Sequence, residues 1–337
     1  MEQTRVMLLP GQGAQAVGMG KAWHDASAAA RAVFARADEV LARVWGGMSG
    51  SPSGKLSEIC FAGPAEVLNR TDVSQPAIYV TGVACWRALQ EAGVKAESVV
   101  ATAGLSLGEY TALHIAGAFS FEDGLELVAL RGRAMQDAAE ASVGGMVALI
   151  GADEAQAKAV CEQTLAEKPG SGEVLVCANF NAPGQIVISG SKSACDRAAG
   201  AEGAAAKMGL RATALVVAGA FHSPLMAPAA ERLGAALSKT AIGVPRCAVM
   251  SNVTGLPHGA DADGIRALLK AQLTSPVRWS ENCAALVKMH GGKPGVEFHE
   301  LAPGRTLAGL YRRIDKGTKV VTHDEPEALA TSGPVGA

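Results

Sequence analysis

The sequence predicts an α/β protein in which a small unit interrupts a larger one, and three observations carry this. Short apolar runs end in glycine and pass directly into alanine-rich helical sequence, as strand-to-helix turns do. Forty glycines in 337 residues suit such turns better than an all-β sandwich. From residue 144 the texture changes, and six elements follow in the order strand, helix, strand, strand, helix, strand.

Taken in order, residues 6–9 are a buried strand ended by Pro10 and Gly11, and the loop 11–15 turns the chain into helical sequence that is clear over 26–44. Glycine and serine make 46–54 a flexible surface loop. Residues 76–92 form a long apolar helix closed by Gly93. A strand over 98–103, a sharp turn over 104–108 and a helix over 109–116 follow. In the next helix, 121–139, Leu127, Leu130 or Arg131, and Met135 share one face. The six-element run comprises 146–150, 153–165, 174–178, 185–189, 193–208 and 211–217, the βαββαβ pattern of a ferredoxin-like unit. A subdomain at 144–212 therefore interrupts a larger domain made of 1–143 and 213–337. Beyond it come a strand at 247–251, helices at 264–273, 281–289 and 306–313, and a frayed tail in the last ten residues.

Composition excludes several classes. At 49% hydrophobic and 18% charged, the chain is expected to fold and stay soluble. Its apolar stretches fall short of the ~18–20 residues a bilayer span needs, so no membrane partner is expected. Thirty basic against 32 acidic residues, a net charge of −2, give no footprint for nucleic acid. The amino terminus lacks the features of a secretory signal. Seven scattered cysteines without a C-x-x-C pair argue against disulfides or zinc and for a reduced, cytoplasmic protein. Nothing demands more than a monomer.

Gly104-Leu105-Ser106-Leu107-Gly108 fits G-x-S-x-G and lies between a strand and a helix, where a serine is held in a strained turn with its hydroxyl projecting. Ser106 is the candidate nucleophile; the alternative is a turn that only reverses the chain. Its best base is His222, at the end of a strand and the opening of a helix. His24 and His114 lie on helices, His258 and His323 in polar loops, and His290 and His299 beside glycine-rich or acidic surface sequence. No acid lies just before His222, so a Ser-His dyad is expected, with a backbone carbonyl or amide orienting the imidazole. The loop 11–15 lacks the spacing of a phosphate cradle, but the Gln12 N–H with that of Leu107 can form an oxyanion hole.

Together the motifs resemble the malonyl-CoA:acyl-carrier-protein transacylases of fatty acid synthesis, related to the acyltransferase domains of polyketide synthases. The resemblance covers about 8–326 and rests on Pro10-Gly11-Gln12-Gly13-Ala14-Gln15, Ser74-Gln75-Pro76-Ala77, Ser106 with Gly108-Glu109-Tyr110, Arg131-Gly132-Arg133-Ala134-Met135-Gln136, Asn179 to Gln185, Gly219 to Met226, and Ser251-Asn252-Val253-Thr254-Gly255. It implies an α/β-hydrolase-like larger domain with a ferredoxin-like insert. Ser106 and His222 match the nucleophile and base, and Gln12 and Leu107 the oxyanion hole. Gln272 matches the residue whose main-chain carbonyl orients the histidine, and Gln75 a glutamine lining the pocket. Arg131 matches the arginine that pairs with the malonyl carboxylate, with Met135 one turn further on the same face; a planar guanidinium offers a carboxylate two parallel donors. Phe221 resembles the phenylalanine of malonyl-selective members and makes methylmalonyl-CoA the expected poorer substrate. Leu105 stands where many members have histidine.

The implied partners are malonyl-CoA and, transiently, acyl carrier protein, with no metal or redox cofactor. A serine hydrolase or thioesterase on short acyl-CoA, an acyltransferase with another acyl preference, and a non-catalytic docking subunit stay open. Lys192, Arg197, Lys207 and Arg211 are candidates for docking an acidic carrier, against a solvated face as the default.

Overall fold

The computed structural model describes residues 3–326, and two sheets organise them. The strands are β1 (Thr4–Leu9), β2 (Val99–Gly104), β3 (Gly144–Ile150), β4 (Leu175–Ala182), β5 (Gln185–Ser191), β6 (Arg211–Ala214), β7 (Ala248–Met250), β8 (Val296–Leu301) and β9 (Val320–His323). The larger sheet has the order β7-β2-β1-β8-β9, every pair parallel. Val6, Met7, Leu8 and Leu9 at its centre have no exposed surface, as expected of a parallel sheet with helices on both faces. Leu9 pairs with Gly104, so the loops after β1 and β2 leave the sheet side by side. Outside the carboxyl ends of such strands is where open α/β sheets bind ligands.

The smaller sheet is antiparallel, in the order β4-β5-β3-β6. Alternation along β3 sends Val147 and Leu149 into a core shared with helix Glu154–Ala166 and helix Lys192–Ala199. Met146 and Ala148 face the other way, into the core of the larger sheet's helices. One face of the smaller sheet therefore closes over the larger unit.

Several boundaries differ from the sequence expectation. The helix expected over 26–44 is Ala28–Gly46, preceded by a separate short helix, Lys21–Ala26; Ser27 leaves the helix between them and its hydroxyl accepts the Ala30 N–H. The helix expected from 76 begins five residues earlier, as Thr71–Glu91, with Pro76 inside it. Burial of every residue from Thr71 to Gln75 holds that first turn despite the proline. The helix expected over 193–208 breaks into Lys192–Ala199 and Ala204–Lys207, where Gly203 packs so closely on the Arg197 carbonyl that no side chain fits. The strand expected to reach 217 stops at Ala214, where pairing of this edge strand with Val147 ends.

Strands β8 and β9 were not anticipated. Glu297, His299 and Glu300 make β8 read as surface sequence, yet the Glu300 carboxylate is buried and accepts the Leu307 and Ala308 N–H groups at 2.8 and 2.7 Å, capping helix Thr306–Ile314. Short helices Leu56–Ala62 and Ala65–Leu68 also lie outside every expected element. In the surface loop 46–54 the Gly50 carbonyl accepts from both Arg70 and Arg133. No described helix is long and apolar enough to cross a membrane. The expected carboxyl-terminal tail lies outside the described residues.

Candidate active site

The site is built where β2 turns into helix Gly108–Ile115. Ser106 occupies the left-handed region, φ 52°, and among the described residues His222, φ 57°, is the only other non-glycine that does. Such backbone strain persists only where surrounding structure enforces it. The enforcement is visible: a methyl group on Gly104 would overlap the Gly108 backbone, and one on Gly108 the Leu9 carbonyl. A methyl on Gly11 would overlap the Leu105 carbonyl, which is why the Gln12 loop can lie against the turn. Asn252, just beyond β7, accepts the Ser106 N–H at 2.6 Å and donates to the Gly104 carbonyl at 2.7 Å.

Ser106 Oγ lies 2.8 Å from His222 Nε2, and His222 Nδ1 lies 2.8 Å from the Gln272 main-chain carbonyl. A carbonyl only accepts, so Nδ1 carries the hydrogen and Nε2 turns its lone pair to the serine O–H. Burial, and after it the Arg131 cation, pushes the His222 pKa down to about 4, with the Gln272 carbonyl opposing. The imidazole is therefore neutral at pH 7 and able to take a proton. It does not end a strand as expected. With β6 finished at Ala214, His222 sits in an irregular turn before the short helical turn Pro224–Met226 and helix Ala227–Leu237.

Arg131, on helix Phe121–Ala141, is almost wholly buried. Its Nη1 donates to Gln75 Oε1 at 2.6 Å, and its Nη2 to Gln272 Oε1 at 2.8 Å and Ser106 Oγ at 3.1 Å. Its carbon lies 5.5 Å from the Tyr110 ring centroid, and its buried Nε has no partner. All three hydrogen-bond partners are neutral. Burial lowers its pKa, Tyr110 and Glu109 oppose, and a guanidinium stays charged regardless.

A cavity of about 520 Å³ opens in front of Ser106, lined by Gln12, Met135, Phe221 and His222 and, from the smaller sheet, by Met146 and Val187. Neither Gln75 nor Arg131 is among the residues lining it, contrary to expectation: Arg131 lies behind Ser106, whose Oγ it reaches, and Gln75 is fully buried behind Arg131, which it braces while donating to Met135 Sδ at 3.3 Å. Leu107 is also buried, at the amino end of the helix that follows Ser106.

Three histidines lie in more enclosed surroundings than the sequence suggests. His258 is in a loop, as expected, but lies 2.6 Å from the buried Glu109 carboxylate, both side chains fully enclosed. His299 and His323, in β8 and β9, are buried and hydrogen-bonded to each other at 2.8 Å. Glu109 and Asn252 went unassigned, although the first turn after a G-x-S-x-G serine and the residue just past a strand's carboxyl end are positions that face such a site. Of the basic candidates on the smaller unit, Lys192 pairs with Asp196 at 2.5 Å and Arg197 with Glu173 at 2.6 Å. Among the described residues no group of three His, Cys, Asp or Glu side chains is disposed to hold a metal ion.

A strained serine against a neutral histidine, beside a buried cation, is the equipment of acyl transfer, and the chain belongs to the acyl transferase domain family, which it matches over residues 6–302. Among its relatives is the malonyl CoA-acyl carrier protein transacylase of Bacillus subtilis (strain 168), 38% identical over 322 residues, covering 96% of this chain and 94% of that one. The crystal structure of acyl-carrier-protein-S-malonyltransferase from Bartonella henselae superposes with a TM-score of 0.86 at 37% identity, covering 98% of both chains. A structure of a type II PKS acyl-carrier protein in complex with its malonyl-transacylase gives 0.86 at 35% identity, again over 98% of both.

Proposed function

We propose that this chain transfers a malonyl group from malonyl-CoA to the phosphopantetheine thiol of an acyl carrier protein, in fatty acid or polyketide synthesis, through a malonyl-serine intermediate. The observation that carries this reading is Arg131: a buried guanidinium with neutral partners and one N–H bonded to the Ser106 hydroxyl. Buried charges are ordinarily paired, and a substrate carboxylate supplies the missing anion. The names of the relatives, which specify malonyl-CoA and carrier protein, support it.

In the first half, Ser106 Oγ attacks the thioester carbon as its proton passes to His222 Nε2, which the Gln272 carbonyl keeps aligned. The negative charge on the carbonyl oxygen is held by the N–H groups of Gln12 and Leu107. Collapse breaks the carbon–sulfur bond, and the coenzyme A sulfur leaves with the proton from His222. In the second half the carrier thiol gives its proton to His222 and attacks the ester, and Ser106 Oγ leaves and is reprotonated. Phe221 and Met135 shape the acyl pocket, and the Phe221 ring occupies the space an α-methyl group needs. We read the architecture as an α/β-hydrolase-like domain, 1–143 with 213–337, carrying a ferredoxin-like insert at 144–212; the strand order β4-β5-β3-β6 supports the second half of that description. It works as a cytoplasmic monomer without metal or redox cofactor.

The test is Arg131→Ala, with acyl-enzyme formation from malonyl-CoA and acetyl-CoA followed side by side. Malonyl transfer should fall by roughly 10²-fold or more, as expected when one partner of a desolvated charge pair is removed, with acetyl transfer little changed. Malonyl transfer at the wild-type rate would show the carboxylate role to be wrong.

A further inference from the structure

Gln272 is bonded differently at the two ends of its amide. The nitrogen donates to Glu109 Oε2 at 2.6 Å and to the Ser106 carbonyl at 2.9 Å, while the oxygen accepts from Arg131 Nη2 at 2.8 Å. An ionised carboxylate and a carbonyl only accept, and a guanidinium only donates. This amide orientation satisfies all three contacts, and the flipped one satisfies none.

Glu109 is fixed in turn. It is fully buried in the first turn of helix Gly108–Ile115, where Oε2 also accepts the Asn252 N–H at 3.2 Å and Oε1 meets His258 Nε2 at 2.6 Å. His258 Nδ1 has no partner, so the ring's one polar contact is with this carboxylate. The acyl-transfer steps use neither residue. A buried carboxylate and a buried imidazole are costly features to keep for packing alone.

We propose that Glu109, held by His258, is a positioning residue that keeps the Gln272 amide oxygen turned to Arg131 and thereby aligns the guanidinium for a carboxylate-bearing acyl group. The inference rests on the reading of Arg131 given above. Without His258, the buried Glu109 loses the donor on Oε1, and its carboxylate is free to rotate away from the Gln272 nitrogen. With that acceptor turned away, the amide is no longer held in one orientation and can flip. Its nitrogen then meets Arg131 donor to donor and pushes the guanidinium aside. His222 is held by the main-chain carbonyl of Gln272, which an amide flip leaves in place.

The signature is a loss confined to the charged substrate, which a general loosening of the fold does not give. Rates of acyl-enzyme formation with malonyl-CoA and acetyl-CoA, read by intact mass, should be compared for wild type, His258→Ala and His258→Gln, with thermal unfolding recorded for each. In His258→Ala the malonyl-to-acetyl rate ratio should fall by about 10- to 100-fold, the effect expected of a displacement on the order of 1 Å in a substrate-positioning group. His258→Gln, whose amide can donate to Glu109, should recover much of it. An unchanged ratio, or equal loss with both substrates, overturns the proposal. If His258→Ala does not fold, Glu109→Asp, which withdraws the carboxylate from Gln272 by one methylene, must lower the same ratio. A wild type that forms no malonyl adduct would overturn the reading of Arg131 itself, whereas a malonylated wild type with an unmoved ratio in the variants would overturn this inference alone.

Discussion

In the proposed mechanism His222 must be neutral to accept the Ser106 proton, and its surroundings fix how far into acid that condition holds. Burial is the larger cause and the Arg131 cation the second, bringing the pKa from an ordinary 6.5 to about 4. The difference corresponds to roughly 3 kcal/mol in favour of the neutral ring. The assay is sulfonylation of Ser106 by phenylmethylsulfonyl fluoride, a neutral reagent that reports the activated hydroxyl without needing Arg131 to bind it. The wild-type rate should stay level down to about pH 5 and be half-lost near pH 4. Arg131→Met removes the smaller cause, so its midpoint should rise yet remain below 6.5. A wild-type midpoint at 6.5, or a midpoint in Arg131→Met no different from wild type, would show that burial and Arg131 do not set the His222 pKa. Folded His222 binds its proton more weakly than unfolded His222. Its contribution to stability is therefore complete above pH 6.5 and lost as pH falls towards 4.

The buried pair in β8 and β9 makes a related prediction of its own. His299 and His323 are each brought down to about 4, burial being the first cause for both. Stability should decline as pH drops from 6.5 towards 4, by up to about 1.4 kcal/mol per pH unit for each ring, and a His299→Asn/His323→Asn variant should show a flatter decline in urea unfolding. Comparing the two proteins cancels the opposite contribution of Glu300, whose pKa burial raises to about 7. Gly108→Ala should cost about 3 kcal/mol or more and slow Ser106 acylation, because its methyl must displace the Leu9 carbonyl of the central strand; unfolding within about 1 kcal/mol of wild type would show that the turn tolerates a side chain there.

The parts of the site legible in the sequence are those that backbone geometry requires. Gly104 and Gly108 had to be glycine for the turn to close, and that requirement is printed in the spacing around Ser106. Arg131 and Met135 follow from helical periodicity together with a family resemblance. What escaped was the polar interior. Pro257-His258-Gly259 looks like exposed loop, and only the fold reveals that it returns to Glu109, 149 residues away in the chain. The polar residues of β8 hid a central strand in the same manner, since nothing local announces that Glu300 will cap a helix and His299 bond a second histidine. The helix break at Gly203 is hidden because its alanine-rich flanks carry the helical pattern straight through it.

The proposed mechanism stands on Ser106 as the carrier of the acyl group, and intact mass after brief mixing with malonyl-CoA is its sharpest test. Wild type should gain one malonyl group, lose it when phosphopantetheinylated carrier protein is added, and keep it for longer in buffer alone; Ser106→Ala should gain none. An adduct on Ser106→Ala, or a wild-type adduct that decays equally fast with and without the carrier, would rule out transfer through Ser106.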